Sequence, residues 1–404
     1  MINIEDKALC CGCSACEQIC PRSCIRMEED SEGFLYPVVA AEDCINCKLC
    51  EKVCPVLNRY PAKEEPLKCY LGKTTDEIIR SHSSSGGIFA EVANFVIQKG
   101  GVVFGVRFDD HWNAIYDYTE STSGLKTFYG SKYVQANPRK AYTLAKKFLS
   151  EGRIVLYSGT PCVIAGLNHF LQKKYDNLIT LDIVCHSIPS AKIWGKYLLE
   201  LSKQNDAIVK DVSFRNKSNT WSHYSLCVTM ETSSGETIHM VEPKEKNAYM
   251  RGFLNDLYTR PSCEQCPARN YTSESDITLA DAWGINKFHP ELNDEKGISH
   301  VLINSERGAQ VFNSLATCLN CICIRYDEVL PHSLHLPLIK SSKHNPYRQD
   351  FFRMISLGQT VEDASNELLN LYDAEMVKKN RRWDFLRSLP FFSILLKIKS
   401  YTSR

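Results

Sequence analysis

Two stretches of this chain repeat one spacing of cysteine, Cys10-x2-Cys13-x2-Cys16-x3-Cys20-Pro21 and Cys44-x2-Cys47-x2-Cys50-x3-Cys54-Pro55, and no other feature narrows the fold so far. In such a run three closely spaced thiolates hold one corner of a [4Fe–4S] cube, and the fourth Cys crosses to the other cluster. The spacing therefore predicts two ligand sets, Cys10, Cys13, Cys16 and Cys54 for one cluster, and Cys44, Cys47, Cys50 and Cys20 for the other. Zinc and disulfides are the alternatives. Tetrahedral zinc sites use two pairs of ligands and do not need a fourth Cys followed by Pro in both copies. Cys11 and Cys24 fall outside the pattern, and a free Cys is commonly a small buried hydrophobe.

This is the run of bacterial two-cluster ferredoxins, so residues 1–60 are expected to form a ferredoxin-like domain whose chemistry is one-electron relay. Nineteen Cys in 404 residues, an odd total at uneven spacing, argue against a secreted disulfide framework and for a reducing compartment. No basic and apolar leader precedes Cys10, and the longest apolar run, residues 389–398, is far short of the ~20 residues that span a bilayer. The expectation is a soluble, cytoplasmic protein. Lys plus Arg number 48 against 47 Asp plus Glu, which gives nucleic-acid binding no electrostatic support.

Residues 55–68 hold three prolines and no apolar period, so they are expected to be a linker with a boundary near 60. Beyond it, helical and strand patterns alternate. A Ser/Gly cluster precedes an amphipathic helix at 88–98, closed by Gly100-Gly101, and a strand follows at 102–106. Another helix is expected at 139–150, then a buried strand at 154–157, a turn at 158–161, a helix to about 173 and a strand at 178–184. Tighter alternation between 208 and 242 predicts an antiparallel meander, and a last strand at 300–304 leads into a helix at 306–316. The fold class is α+β or α/β, a small ferredoxin-like domain followed by a larger mixed-sheet domain over residues 70–340 and a helical, basic tail over 341–404. Cys318-x2-Cys321-x-Cys323 is spaced as a metal site could be, but its alternation suits a packed strand better.

A second set of cysteines is dispersed: Cys162, Cys185 and the pair Cys263-x2-Cys266-Pro267. Two lie where a strand meets a turn, a usual place for functional groups in α/β folds. Together they supply four thiolates for a third cluster or a structural zinc, or they are three unconnected features.

At Gly130-Ser131-Lys132-Tyr133-Val134-Gln135, Ser158-Gly159-Thr160-Pro161-Cys162, Val184-Cys185-His186-Ser187, Phe214-Arg215-Asn216-Lys217 and the run from Pro261 to Gly284, the chain resembles the beta-subunit family of coenzyme F-420 hydrogenases and dehydrogenases. The resemblance covers roughly residues 1–310. It implies a flavoprotein carrying FAD and iron–sulfur clusters, with Cys162, Cys185, Cys263 and Cys266 as ligands of a third [4Fe–4S] cluster. It also implies that Ser85, Gly86 and Gly87 meet the FAD phosphates, where glycines and free helix amides favour an anion, and that Lys132 and Gln135 lie near the flavin. His186, beside a proposed ligand, is a second candidate proton donor with Lys132. Asp281 and Trp283 could shape the site, though an Asp in such a turn more often caps local backbone. Phe89, Ser187 and Ala280 depart from residues common in deazaflavin-using members, which points to a bacterial branch with another acceptor.

The function expected is a ferredoxin-dependent or deazaflavin-type oxidoreductase. Ferredoxin or another electron carrier would supply the N-terminal clusters, and FAD would reduce or oxidise a small organic substrate. The competing expectation is an electron-transfer subunit with no substrate of its own. Residues 376–404 carry eight Lys or Arg against Asp384 alone, so the tail suits an anionic membrane surface, an acidic partner, or packing on its own domain.

Overall fold

The computed structural model describes residues 1–329 and 341–388, the last ten of these as helix backbone only. The two cysteine runs fold as copies of one another. Each begins with a 3₁₀ turn, Lys7–Leu9 or Ala41–Asp43, and ends in a short helix, Ala15–Ile19 or Leu49–Lys52. Between their cysteines the chain bends through left-handed backbone at equivalent places, Gly12 and Asn46, then Ser14 and Lys48. A hairpin of β1 (Ile25–Glu29) and β2 (Leu35–Val39), with Ile25 opposite Val39, joins the copies.

The remaining strands are β3 (Lys68–Thr74), β4 (Val102–Phe108), β5 (Ala114–Thr119), β6 (Val155–Gly159), β7 (Leu178–Ile183), β8 (Ala207–Asn216), β9 (Ser225–Thr232), β10 (Thr237–Pro243), β11 (Ile277–Asp281), β12 (Ser299–Ile303) and β13 (Leu319–Ile324). Eight form one mixed sheet in the order β13-β3-β12-β11-β7-β6-β4-β5, parallel from β11 to β4 and antiparallel at both flanks. The expected meander is the separate antiparallel sheet β10-β9-β8.

Helices cover the large sheet because their apolar periods match it. The helix Ile88–Gln98 buries Ile88, Val92, Ala93 and Val96 against β4, β6 and β12 residues, and Gly100 in left-handed conformation ends it. Pro161 opens the helix Pro161–Leu171, where its missing N–H costs nothing. The strand at 299–303 is not the last, because β13 pairs with β3 and tucks Cys321 over Gly72. The linker residues are stitched to the sheet domain through Lys63 N to Asn270 O and Leu67 N to Ile303 O.

The segment after 341 is no loose appendage in its first half. Phe351 of the helix Arg348–Ser356 and Val361, Ala364, Leu368 and Leu369 of the helix Val361–Ser388 enter the core beside Trp194, Tyr249 and Phe253. Among the described residues no helix is long and apolar enough to cross a membrane. The docking expectation for the tail falls mostly on side chains beyond 378, outside the described residues.

Arg348 ties this C-terminal helix to the N-terminal hairpin. It donates to both carboxylate oxygens of Glu32, at 3.0 and 2.5 Å, and through Nε to Thr259 O at 2.9 Å. Breaking such a largely buried pair strands the remaining carboxylate. Arg348→Met should therefore lower the unfolding free energy by about 3 kcal/mol, measured by urea denaturation under anaerobic conditions. An unchanged midpoint would mean the pair contributes nothing to seating the hairpin.

Candidate functional site

The two copies of the cysteine run enclose two small cavities. The outer one is lined by Cys20, Cys44, Cys47 and Cys50, three thiols from the second run and the last thiol of the first, with Cys24 also in its wall, its Sγ 3.4 Å from Cys20 Sγ. The inner one, about 320 Å³, is lined by Cys10, Cys13, Cys16 and Cys54, with Cys11 at its edge. Four sulfur donors around an otherwise mainly apolar cavity are the donor set of a [4Fe–4S] cluster. Backbone amides are turned on the sulfurs, as in Asn46 N to Cys44 Sγ at 3.4 Å. Burial acts against ionisation of Cys20, but the amides of Cys24, Arg22 and Ser23 and the Cys24 thiol outweigh it and lower its pKa. Cys47 is exposed, whereas Cys13, Cys16 and Cys54 are buried.

Inward of the second cavity stands Cys11, for which the spacing offered no role. Its thiol lies within hydrogen-bonding reach of both Cys13 and Cys162. Cys162 occupies the first turn of the helix Pro161–Leu171, Cys185 follows β7, and Cys263 sits in the 3₁₀ helix Pro261–Gln265 just before Cys266. These four residues, far apart in sequence, lie within electrostatic reach of one another. Burial first, then the neighbouring Cys162, push the Cys185 thiol up to about 12. Ile188 N donates to Cys263 Sγ at 3.3 Å, and Arg269 Nη1 donates to Cys185 O at 2.9 Å.

Beside this group a cleft of about 1090 Å³ opens at the carboxyl ends of the parallel strands, where β6 ends at Gly159 and β7 at Ile183. Open α/β sheets place ligands at this edge. Its wall contains Cys185, His186, Lys132 and Gln135, and reaches back to Cys11 and Gly12. Past Phe89, Phe128 and Ser131 it continues into a narrower chamber of about 700 Å³, lined by Ser85, Gly87 and Ile88. The flavin-site residues suggested by the sequence thus face one continuous cleft, apart from Gly86.

Each is held differently. Lys132 Nζ donates to Tyr129 O at 2.9 Å, and desolvation of the ammonium lowers its pKa to about 7. Gln135 Oε1 accepts from Arg260 Nη1 at 3.4 Å. His186 Nε2 stands 3.2 Å from Asp256 Oδ1, an ionic contact without the alignment of a hydrogen bond, and packs edge-on to Phe253. Ser84 and Ser131 hydroxyls meet at 2.8 Å across the narrow chamber.

The glycines also have a packing role. A Cβ on Gly87, at φ +84°, would come 2.6 Å from Thr74 Cγ2, and one on Gly86 would strike the backbone of β3. Both are therefore required by packing of the turn onto the sheet, while Ser85, Gly87 and Ile88 line the chamber. Asp281 differs from its expected turn-capping role, since it accepts from Arg215 Nη1 at 2.5 Å and from Trp221 Nε1 at 3.1 Å. Cys321 lies half-buried on β13, packed as a strand residue.

Residues 9–58 match the family model described as 4Fe-4S dicluster domain, and residues 152–321 match the model for the C terminus of the Coenzyme F420 hydrogenase/dehydrogenase beta subunit. Among curated proteins nothing matches the chain. Among solved structures it is similar to a chain of the F420-reducing [NiFe] hydrogenase complex from Methanosarcina barkeri, at 15% identity over 69% of this chain and 89% of that chain, with a TM-score of 0.45.

The crossed lining of the two small cavities yields a sharp test. Cys20→Ala should damage the cluster of the outer cavity and spare that of the inner one, although Cys20 is nearer in sequence to Cys16. Electron paramagnetic resonance of the reduced protein reads this out. Loss confined to the cluster held by Cys10, Cys13 and Cys16 would refute the crossing.

Proposed function

We propose that this chain, whose residues 9–58 match a 4Fe-4S dicluster domain and whose residues 152–321 match the C terminus of the coenzyme F420 hydrogenase/dehydrogenase beta subunit, is an iron–sulfur electron-transfer oxidoreductase that passes electrons through a third cluster to FAD in the cleft, for reduction or oxidation of a small organic substrate. One observation carries the reading: the outer cavity, the inner cavity, Cys11, the four dispersed cysteines and the cleft form an unbroken series of neighbours.

Clusters carry electrons singly, and a bound flavin would convert them to pairs for an organic substrate. The chain's own residues supply the rest. Exposed Cys47 makes the outer set the entry point for a carrier such as reduced ferredoxin. Cys162, Cys185, Cys263 and Cys266 would hold the third cluster beside the cleft. Ser85 and the turn at Gly86 and Gly87 would border the FAD phosphates, with the first amides of the helix Ile88–Gln98 toward them. Lys132 and Gln135 would line the wall at the ring, where a cation favours an anionic reduced cofactor.

Lys132 and His186 are the proton-bearing side chains of the wide cleft proposed as catalytic. Burial lowers the pKa of Lys132 to about 7, which suits proton donation near physiological pH. The second reading, a subunit that hands electrons to a separate catalytic chain, is favoured by Ile45, 60% exposed on the rim of the outer cavity, where a partner could dock.

Anaerobic purification should yield about twelve iron atoms per chain, four for each cluster, and one FAD. Eight iron and no flavin would leave the relay subunit as the reading. Because the depressed pKa means that the Lys132 ammonium is lost as pH rises through about 7, turnover that needs it should fall across that window. Lys132→Gln should abolish the fall and slow turnover below pH 7 by roughly a hundredfold. A pH profile shared by variant and wild type would remove Lys132 from the chemistry.

A further inference from the structure

The narrow chamber has one wall to which the flavin reading gives no task. Arg215, near the end of β8, has a side chain only 3% exposed. Its Nη1 is committed to Asp281, but Nε and Nη2 find no hydrogen-bond partner among the described residues. Buried donors of a charged group are seldom left unmade, and two on one guanidinium call for an acceptor.

The group cannot turn away to find one. It lies 4.5 Å from the ring of Tyr224 and 5.1 Å from that of Trp283. Trp283 is itself stacked on Trp221 at 4.6 Å and 7°, and Trp221 is pinned to Asp281. Arg215 and Asp281 line the chamber together with Ser84, Gly87 and Ile88. Asp281 is the carboxylate that pairs with Arg215 in the chamber wall, and it takes up Nη1 alone. The free Nε and Nη2 form the side edge of the guanidinium, two parallel N–H groups matched to two oxygens of one oxyanion.

We propose that Arg215 is an anion receptor whose Nε and Nη2 bind a phosphoryl or carboxylate group of the ligand in the narrow chamber, whose lining also includes Gly87 and Ile88. The inference rests on the reading of the cleft as a cofactor and substrate site. The oxyanion could belong to the flavin's phosphates or to an acidic acceptor, and the chemistry required of Arg215 is the same for both.

The test uses full-length protein depleted of flavin under anaerobic conditions, as wild type, Arg215→Met and Arg215→Lys, with iron content and ligand-free melting temperature as folding controls. Inorganic pyrophosphate is the direct probe. It should raise the melting temperature of wild type, leave Arg215→Met unmoved and raise Arg215→Lys by less. If Arg215→Met does not fold, the reduced response of Arg215→Lys carries the test. Titration with FAD, FMN and riboflavin identifies the source. Affinity for FAD and FMN lowered tenfold or more, with riboflavin unaffected, assigns the oxyanion to the cofactor. Unchanged affinity for all three flavins, with KM raised for an anionic acceptor but not for a neutral quinone, assigns it to the acceptor. Equal pyrophosphate protection of all three proteins, or none in any, overturns the proposal. Wild type that binds none of the flavins yet is protected by pyrophosphate through Arg215 would defeat the flavin reading and leave the anion site standing.

Discussion

A buried guanidinium, that of Arg260, connects the parts on which any electron path here depends. It is fully buried, donates through Nε to Cys10 O at 2.7 Å and through Nη2 to Leu35 O at 2.9 Å, and reaches Gln135 with Nη1. It lies 4.3 Å over the ring of Tyr36, and the backbone carbonyl of the same residue accepts from Cys263 N at 3.0 Å at the start of the 3₁₀ helix. Thus one side chain holds the first ligand loop, the hairpin behind it and the cleft wall, and the same residue's backbone holds the turn of Cys263. Burial opposes its charge, but the neighbouring Cys10 and Tyr36 raise its pKa overall. An ammonium could not replace it, because only a rigid fork serves acceptors in several directions at once.

The position of this group also orders the thiol sites by exposure. The outer cavity opens to solvent at Cys47, the inner one is covered by the sheet domain, and Cys162 and Cys263 are fully within the protein. Burial of a thiol disfavours its charged form, and it raises the pKa of Cys16 in the inner set as well as of Cys185 and Cys263 in the dispersed set. A site that must ionise several such thiols gains only if a cationic centre replaces their protons.

Much of this was legible in the sequence, for physical reasons that differ by element. The cysteine spacing is local, so the crossed linings of the two cavities could be written down from it. The helix at 88–98 and the strands β4, β6 and β7 follow apolar periods that survive in isolation. β11 escaped because a five-residue strand buried on both faces has no alternation to show. Arg215 with Asp281 and Arg260 with Cys10 escaped because partners 66 and 250 residues apart leave no local pattern. The turn at Ser85, Gly86 and Gly87 was visible, but its cause was not. Only the fold shows that its glycines are pressed onto β3.

The helix Pro161–Leu171 shows how local sequence and distant packing are reconciled at the critical junction. Cys162 and Gly166 are four residues apart and so lie on one helix face, about 6 Å from each other. Cys162 meets Cys11, while a Cβ at Gly166 would come 2.8 Å from Cys13 Cβ. The helix can press against the inner cavity only because that position carries no side chain. Any larger residue would push the helix out, and with it the Cys162 thiol that its first turn presents. Close docking of the cluster module and correct placement of Cys162 are therefore one constraint, imposed by one helix face.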